Sequence, residues 1–477
     1  MSELRTRFAP SPTGYMHIGG IRTALFAWLL ARHEDGKFIL RFEDTDKSRE
    51  VSGAKDHIIK SLKSLGLDYD EGPDIGGNYG PYTQSERLDV YKKWADKLVT
   101  SGRAYVDPYS SEEVQAFRQE AQKQKKPFLY RNHRPSETKK WDGSQTLRFK
   151  SDPKSYDWHD EVMGDLKSGP ETIDDFVLLK SDGFPTYNFA HIIDDQEMKI
   201  SHVLRGQEFI SSVPNYLNLY EALAIPRPKL VTLPHILSEA GNKKLSKRDG
   251  AKDILDYLRD GYMTEALVSF IATLGWNDGS TQETFSTEEL IDKFSLDRIQ
   301  RSGARFDEQR LNWVNGHFIR NLPLEELFKK VVKYWPEEAK DYDDIYKKRV
   351  LGLLQERLKY YSELPELSIF FFKDLPVNND LIKSHKQLKK MSGEELIALL
   401  SKARETLNES NFSEEDITDR LNKLLEETNQ KPAILFSLIR IATTSAPSSP
   451  GLSESLELIG KSRSLKRIDD QIASLMA

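Results

Sequence analysis

The chain has 477 residues, with 69 basic and 75 acidic side chains and a formal net charge of −6; the length predicts about three domains, and so balanced a charge excludes a non-specific coat on DNA. It contains no cysteine, which excludes disulfides, thiolate nucleophiles, iron–sulfur clusters and cysteine-ligated zinc. No apolar run approaches the roughly 18 residues that span a bilayer, and the first residues show no apolar targeting region, so a cytoplasmic protein with no membrane attachment is expected.

In chain order, residues 4–9 alternate as a short strand does. A turn rich in proline and glycine runs from Pro10 to Gly20, and Ile21, Leu25, Trp28 and Leu29 then recur at helical spacing. A second strand is predicted at 38–42, ending in the acidic turn Glu43-Asp44-Thr45-Asp46, and a helix with Ile58, Ile59, Leu62 and Leu65 follows. Strand, helix, strand, helix within about 65 residues opens a parallel α/β sheet. Between 104 and 185 the pattern loosens into short strands at 147–149 and 177–180 and a polar segment at 119–126. Strand signals resume at 187–193, 201–204 and 230–237, so an insertion between two halves of one sheet is the simplest account. Beyond Leu245 the spacing turns helical, at 266–274, 350–358, 396–407, 417–425, 433–441 and 465–475. An α/β front half and an all-α rear half are expected.

Two segments carry chemistry. The first, Ala9-Pro10-Ser11-Pro12-Thr13-Gly14-Tyr15-Met16-His17-Ile18-Gly19-Gly20, joins a strand to a helix. Its prolines stiffen the loop, its glycines admit a ligand to the backbone, and the helix N-terminus offers N–H groups to phosphate. The second, Asn242-Lys243-Lys244-Leu245-Ser246-Lys247-Arg248-Asp249-Gly250, packs cations into a short loop suited to a triphosphate. Alone, the first is equally a rigid strand–helix connection and the second a solvated basic loop. Their pairing, one after the first strand and one after the last, is what points to a nucleotide.

The pair resembles the HIGH and KMSKS signatures of class I aminoacyl-tRNA synthetases, as His17-Ile18-Gly19-Gly20 and Lys244-Leu245-Ser246-Lys247-Arg248. Phe8-Ala9-Pro10-Ser11-Pro12-Thr13-Gly14, Arg41-Phe42-Glu43-Asp44-Thr45-Asp46, Gly80-Pro81-Tyr82-Thr83-Gln84-Ser85-Glu86-Arg87, Leu179-Lys180-Ser181-Asp182-Gly183-Phe184-Pro185-Thr186-Tyr187 and Leu204-Arg205-Gly206-Gln207-Glu208 resemble bacterial-type glutamyl-tRNA synthetase. Gly20 stands where the signature has its last histidine and Leu245 where it has methionine, both usual departures in that family.

The resemblance implies a Rossmann-type α/β catalytic domain (1–103 and 186–250) split by an inserted α+β acceptor-binding domain (104–185). A helical stem-contact region (251–320) and an all-α anticodon-binding region (321–477) would follow. It implies activation of glutamate by ATP, with Mg²⁺ accompanying the ATP, and transfer to the glutamate tRNA. Glutamate would meet Arg7, Ala9, Ser11, Glu43, Tyr187 and Arg205, with both guanidiniums on its side-chain carboxylate. ATP would meet His17, Gly20, Glu208, Ile236, Lys244 and Lys247, of which His17, Lys244 and Lys247 act on the phosphates. Arg357 would read the last anticodon base. A monomer without zinc or any other metal site is expected. A non-discriminating enzyme that also charges glutamine tRNA, and a non-catalytic tRNA-binding paralogue, are the alternatives. Glutaminyl-tRNA synthetase would need a β-barrel in the rear half, where helices are expected.

Overall fold

The computed structural model describes residues 3–241, 243–245, 252–446 and 448–477. It divides into two compact units, the first holding the chain to Arg259 and Thr264–Leu311, the second Asp260–Met263 and Asn312–Ala477.

The first unit opens with β1 (Arg5–Phe8), α1 (Ile18–His33), β2 (Lys37–Leu40), α2 (Ala54–Ser64) and α3 (Leu88–Thr100). β1 and β2 are parallel, in register from Arg5 with Lys37 to Phe8 with Leu40. Parallel neighbours need a crossover, and α1 supplies it. Most of α1 is buried, including Ile18, Ile21, Leu25 and Trp28, because helices at Thr264–Ala272 and Thr287–Lys293 cover the side that β1 and β2 leave open.

Then come β3 (Ala104–Val106), α4 (Ser111–Lys123), β4 (Leu147–Phe149), β5 (Tyr156–Asp160), β6 (Gly164–Ser168) and β7 (Val177–Leu179). β3, β4 and β7 form a separate antiparallel sheet, whereas β5 and β6 extend the sheet of the later strands in the order β6-β5-β9-β8. Those later elements are α5 (Tyr187–Glu197), β8 (His202–Gly206), α6 (Val213–Leu223), β9 (Lys229–Leu233) and β10 (Ile236–Leu237). β8 and β9 are parallel. The Ser201 N–H donates to the Arg5 carbonyl, 2.9 Å, so β1 runs beside β8 and brings the two halves of the sheet together.

Two departures from the sequence reading have a clear physical cause. Residues 187–193, expected as a strand, are the first turns of α5. Phe189, Ala190, His191, Ile192, Ile193, Asp194 and Asp195 are all buried, and a helix buried on every side shows no 3.6-residue period. α4, which was missed, fails in the opposite sense: none of its residues is buried, and a Ser110–Glu113 capping box starts it instead of an apolar stripe.

The second unit is helical, and no strand occurs among its described residues. Its core gathers Leu400, Leu407, Ile417, Leu435, Leu438, Ile439, Leu456 and Ile468, all essentially inaccessible to solvent. They come from helices Gly393–Asn408, Glu414–Thr428, Pro432–Thr444, Leu452–Ile459 and Lys461–Met476.

Candidate active site

A cavity of about 340 Å³ lies at the C-terminal ends of β1, β8 and β9. Strand ends converge there because parallel strands share a direction, and α/β sheets bind ligands at that edge. Arg7, Ala9, Ser11, His17, Gly20, Glu43, Tyr187, Arg205, Glu208, Ile236 and Lys244 all line it. Lys247 lies outside the described residues, and Arg357 belongs to the second unit.

His17 caps α1. Its Nδ1 accepts from the N–H of Gly19 (3.1 Å) and of Gly20 (3.4 Å). The helix end therefore differs from the expectation of N–H groups free for phosphate: two of them already have a partner. The capping fixes the tautomer, since a ring that accepts at Nδ1 carries its proton on Nε2 when neutral. A Cβ at Gly19 would come 3.1 Å from the His17 ring, so glycine is what lets the ring fold over the helix end.

Beside the cap, the chain after β10 folds back as a hairpin. Leu237 bridges to Lys244, and the Leu245 N–H donates to the Ile236 carbonyl, 2.8 Å. This places Lys244 Nζ 2.8 Å from Glu208 Oε1, with His235 Nδ1 3.6 Å from Oε2. Burial would raise the Glu208 carboxyl, but Lys244 and His235 hold it below its usual value. Of the Ile236 backbone, the carbonyl thus already serves the hairpin.

At the other end of the cavity the charges are unevenly matched. Arg7 Nε donates to Asp195 Oδ1 at 3.1 Å and Arg7 Nη1 to the Leu204 carbonyl at 3.1 Å. Arg41, fully buried, donates to Asp195 Oδ1 at 2.8 Å and to Glu43 Oε1 at 3.0 Å. Burial pushes the Glu43 carboxyl up to about 6 against the pull of Arg41 and Arg7. Burial would also raise Asp195, yet the guanidiniums of Arg7 and Arg41 hold it well below the carboxylate range. Arg205, only 7% exposed, has no carboxylate partner among the described residues, nor does its Nη1 make a hydrogen bond to any of them. Its guanidinium instead lies 5.0 Å from the ring of Tyr216 and 5.5 Å from that of Phe209. Tyr187 stacks on Phe209, ring centroids 5.4 Å apart. Of the two guanidiniums expected at the side-chain carboxylate, Arg7 is paired with Asp195, and Arg205 has no carboxylate partner among the described residues.

One end of the cavity thus holds a buried guanidinium and a buried carboxyl, and the other holds the His17 imidazole and the Lys244 ammonium.

Comparison with known proteins agrees in kind. Residues 3–313 match the model of the class I tRNA synthetase (E and Q) catalytic domain, and 326–472 that of an anticodon binding domain. The glutamate–tRNA ligase of Clostridium tetani is 40% identical, covering 99% of this chain and 98% of its own length. That of Dehalococcoides mccartyi is 40% identical over 99% of both chains. The crystal structure of a glutamate tRNA ligase from Elizabethkingia meningosepticum, in complex with its amino acid, superposes with a TM-score of 0.85. It is 31% identical and covers 99% of this chain and all of that one. The chain belongs to the glutamate–tRNA ligase family. Its fold is accordingly that of a class I tRNA synthetase catalytic domain with a C-terminal helical anticodon domain.

The sequence reading missed three residues of this site. Arg41 has no role in the resemblance, although a cation inside an apolar strand signals a buried acid nearby. Asp195 ends the apolar run of α5, where a carboxylate needs a cation. Arg22 lies among the apolar residues of α1 and donates from Nη1 to the Leu274 carbonyl, 3.2 Å, and from Nη2 to that of Pro234. Burial lowers its pKa to about 10, against the opposing pull of Glu208, and it stays charged at neutral pH. It ties α1 to the segment that carries His235 and Ile236.

Proposed function

We propose that the chain joins L-glutamate to its tRNA in two steps driven by ATP. The α-carboxylate attacks the α-phosphorus, pyrophosphate leaves and glutamyl-adenylate forms. The 2′-hydroxyl of the terminal adenosine then attacks the carbonyl carbon and AMP leaves, its phosphate oxygen accepting the proton. The observation that carries this reading is the buried, unneutralised Arg205 guanidinium in one cavity with Glu43, His17 and Lys244. Full-length likeness to glutamate–tRNA ligases supports it.

In this reading Arg205 takes the side-chain carboxylate, with Arg7 and Tyr187 beside it. Glu43 takes the α-ammonium, and Ala9 and Ser11 line the backbone of the amino acid. The α-carboxylate is ionised at neutral pH, so the first step needs alignment and positive charge, not a general base. His17, through Nε2–H, and Lys244 and Lys247 stabilise the triphosphate, which brings Mg²⁺ as part of the substrate. Glu208, Gly20 and Ile236 lie toward the nucleoside. Lys244 must leave Glu208 to reach phosphate, so its ion pair belongs to the nucleotide-free state. Residues 104–185 guide the acceptor end, 251–320 contact the stem and 321–477 read the anticodon. A monomer in the cytoplasm, without zinc, completes the proposal.

ATP–pyrophosphate exchange tests it: exchange is expected with glutamate once tRNA is present. Exchange that requires glutamine, or none under any condition, overturns it.

Glu43 adds a pH dependence. Only its carboxylate pairs with an ammonium, and its carboxyl titrates at about 6 in the free pocket. Protonation on acidification therefore weakens glutamate binding, and KM for glutamate is expected to rise about fourfold between pH 7.5 and 5.5. Glu43→Gln is expected to show a higher KM that no longer changes over this range. A parent KM flat across the range would remove Glu43 from the ammonium site.

Arg357 is exposed just past the helix Asp344–Leu354. Its charge, after burial, lowers the pKa of Arg440, and neither arginine has a carboxylate partner among the described residues. Two adjacent unneutralised cations suit an RNA base edge or phosphate. Arg357→Gln is expected to narrow the preference for glutamate tRNA over glutamine tRNA by about 5- to 100-fold, as the loss of one bidentate base contact does. Charging of both purified tRNAs measures it. Unaltered charging of both rejects the role, and equal charging by the parent chain would mark a non-discriminating enzyme.

A further inference from the structure

Arg205 lines a second cavity as well, of about 10 Å³, together with His191, Asp195 and Tyr216 among others. Three polar atoms of its lining residues are buried without a hydrogen-bond partner among the described residues: Arg205 Nη1 and both ring nitrogens of His191. His191 is 2% exposed and held between aromatic rings, 4.8 Å from Tyr187 and edge-on at 4.7 Å to Tyr216. Asp195 Oδ2 is 3.9 Å from Nδ1, beyond hydrogen-bond range. Orphaned buried donors and acceptors are costly, and a volume of roughly 10–15 Å³ with two or more polar neighbours is what one buried water requires.

We infer that His191 is a positioning residue that holds Arg205 from behind through one buried water, without cancelling the positive charge Arg205 presents to the substrate. The water accepts from Arg205 Nη1 and donates to an imidazole lone pair. With the ring N–H turned toward Asp195, that lone pair is on Nε2. A histidine suits the place because burial keeps it neutral, pushing its pKa down to about 4. Arg7 shows the alternative: backed by Asp195, it is fixed in place but largely neutralised. One guanidinium backed by a carboxylate and one backed by a neutral ring leave a single net positive charge, which matches a side-chain carboxylate and mismatches an amide. This inference rests on the glutamate reading above and deepens it by assigning the origin of its charge selectivity.

The test uses the full chain with tRNA and ATP–pyrophosphate exchange. His191→Asn keeps a neutral polar group and is expected to hold KM for glutamate within about threefold of the parent. His191→Asp backs Arg205 with a carboxylate. It is expected to raise KM for glutamate at least tenfold and to narrow the glutamate-over-glutamine preference, with KM for ATP within about threefold. A purely structural role predicts equal losses for the two variants, and that result, or an unshifted KM in His191→Asp, overturns the inference. If His191→Asp does not fold, a high-resolution crystal structure of the parent decides. An ordered water bridging Arg205 Nη1 and His191 is expected, and none at that position overturns the inference. A parent chain with no glutamate-dependent exchange would instead defeat the function reading, a distinguishable outcome.

Discussion

Arg205→Ala is expected to lower kcat/KM for glutamate by two to three orders of magnitude while leaving KM for ATP within about threefold. The size follows from the charge pattern. Arg7 is matched by Asp195 and Arg41 by Asp195 and Glu43, so neither gains a full counter-charge when a carboxylate arrives. Arg205 has no such partner among the described residues and sits where water is largely excluded. Breaking a buried pair by removing one member costs about 3–5 kcal/mol, and about 1.4 kcal/mol is tenfold in kcat/KM. Arg205→Lys separates charge from shape: a point charge on a more flexible stem loses the planar fork, so it should recover part of the activity. Amino-acid-dependent exchange in the presence of tRNA is the measurement. Glutamate kinetics within threefold of the parent would reject the assignment, and an equal loss against ATP would move Arg205 from recognition to general architecture.

Much of this site could be read from the chain because its parts are short and local. The turn from Pro10 to Gly20 and the Lys243–Leu245 hairpin each announce themselves within a dozen residues, and all eleven cavity residues anticipated within the described chain do line one space. What stayed hidden depends on distance in sequence. Arg7 meets Asp195 across 188 residues, and no local pattern announces that contact. It was hidden twice over, because the segment carrying Asp195 reads as a strand until its burial on all sides is known. The His17 cap was missed for a different reason. Histidine is not among the preferred N-cap residues, which are serine, threonine, aspartate, asparagine and glycine, so the sequence shows a helix end open to phosphate. The rear half was legible wherever a helix has one apolar face, as at Lys461–Met476, where Leu465, Ile468, Ile472 and Leu475 are spaced three or four apart.

Asp195→Asn is expected to destabilise the catalytic unit by about 3 kcal/mol or more, and to do so in a pH-dependent way. The substitution keeps shape and removes charge, so Arg7 is left facing an amide, while Arg41 keeps Glu43 at 3.0 Å and Asp194 at 3.7 Å. A buried cation left without its carboxylate, here Arg7, is the expensive outcome of breaking a buried network. Asp195 is held well below the carboxylate range by those two guanidiniums despite its burial. A carboxyl depressed in the folded state stabilises fully above its unfolded pKa of about 3.9, and that stability is lost as pH falls toward the folded value. The parent therefore loses the Asp195 contribution at up to about 1.4 kcal/mol per pH unit below pH 3.9, while Asp195→Asn has none to lose. Thermal unfolding should place the variant on the order of 10 °C below the parent at pH 7, with the gap narrowing between pH 5 and pH 3. A gap that stays constant on acidification would mean that Asp195 acts through packing, and the charge pattern that singles out Arg205 would lose its foundation.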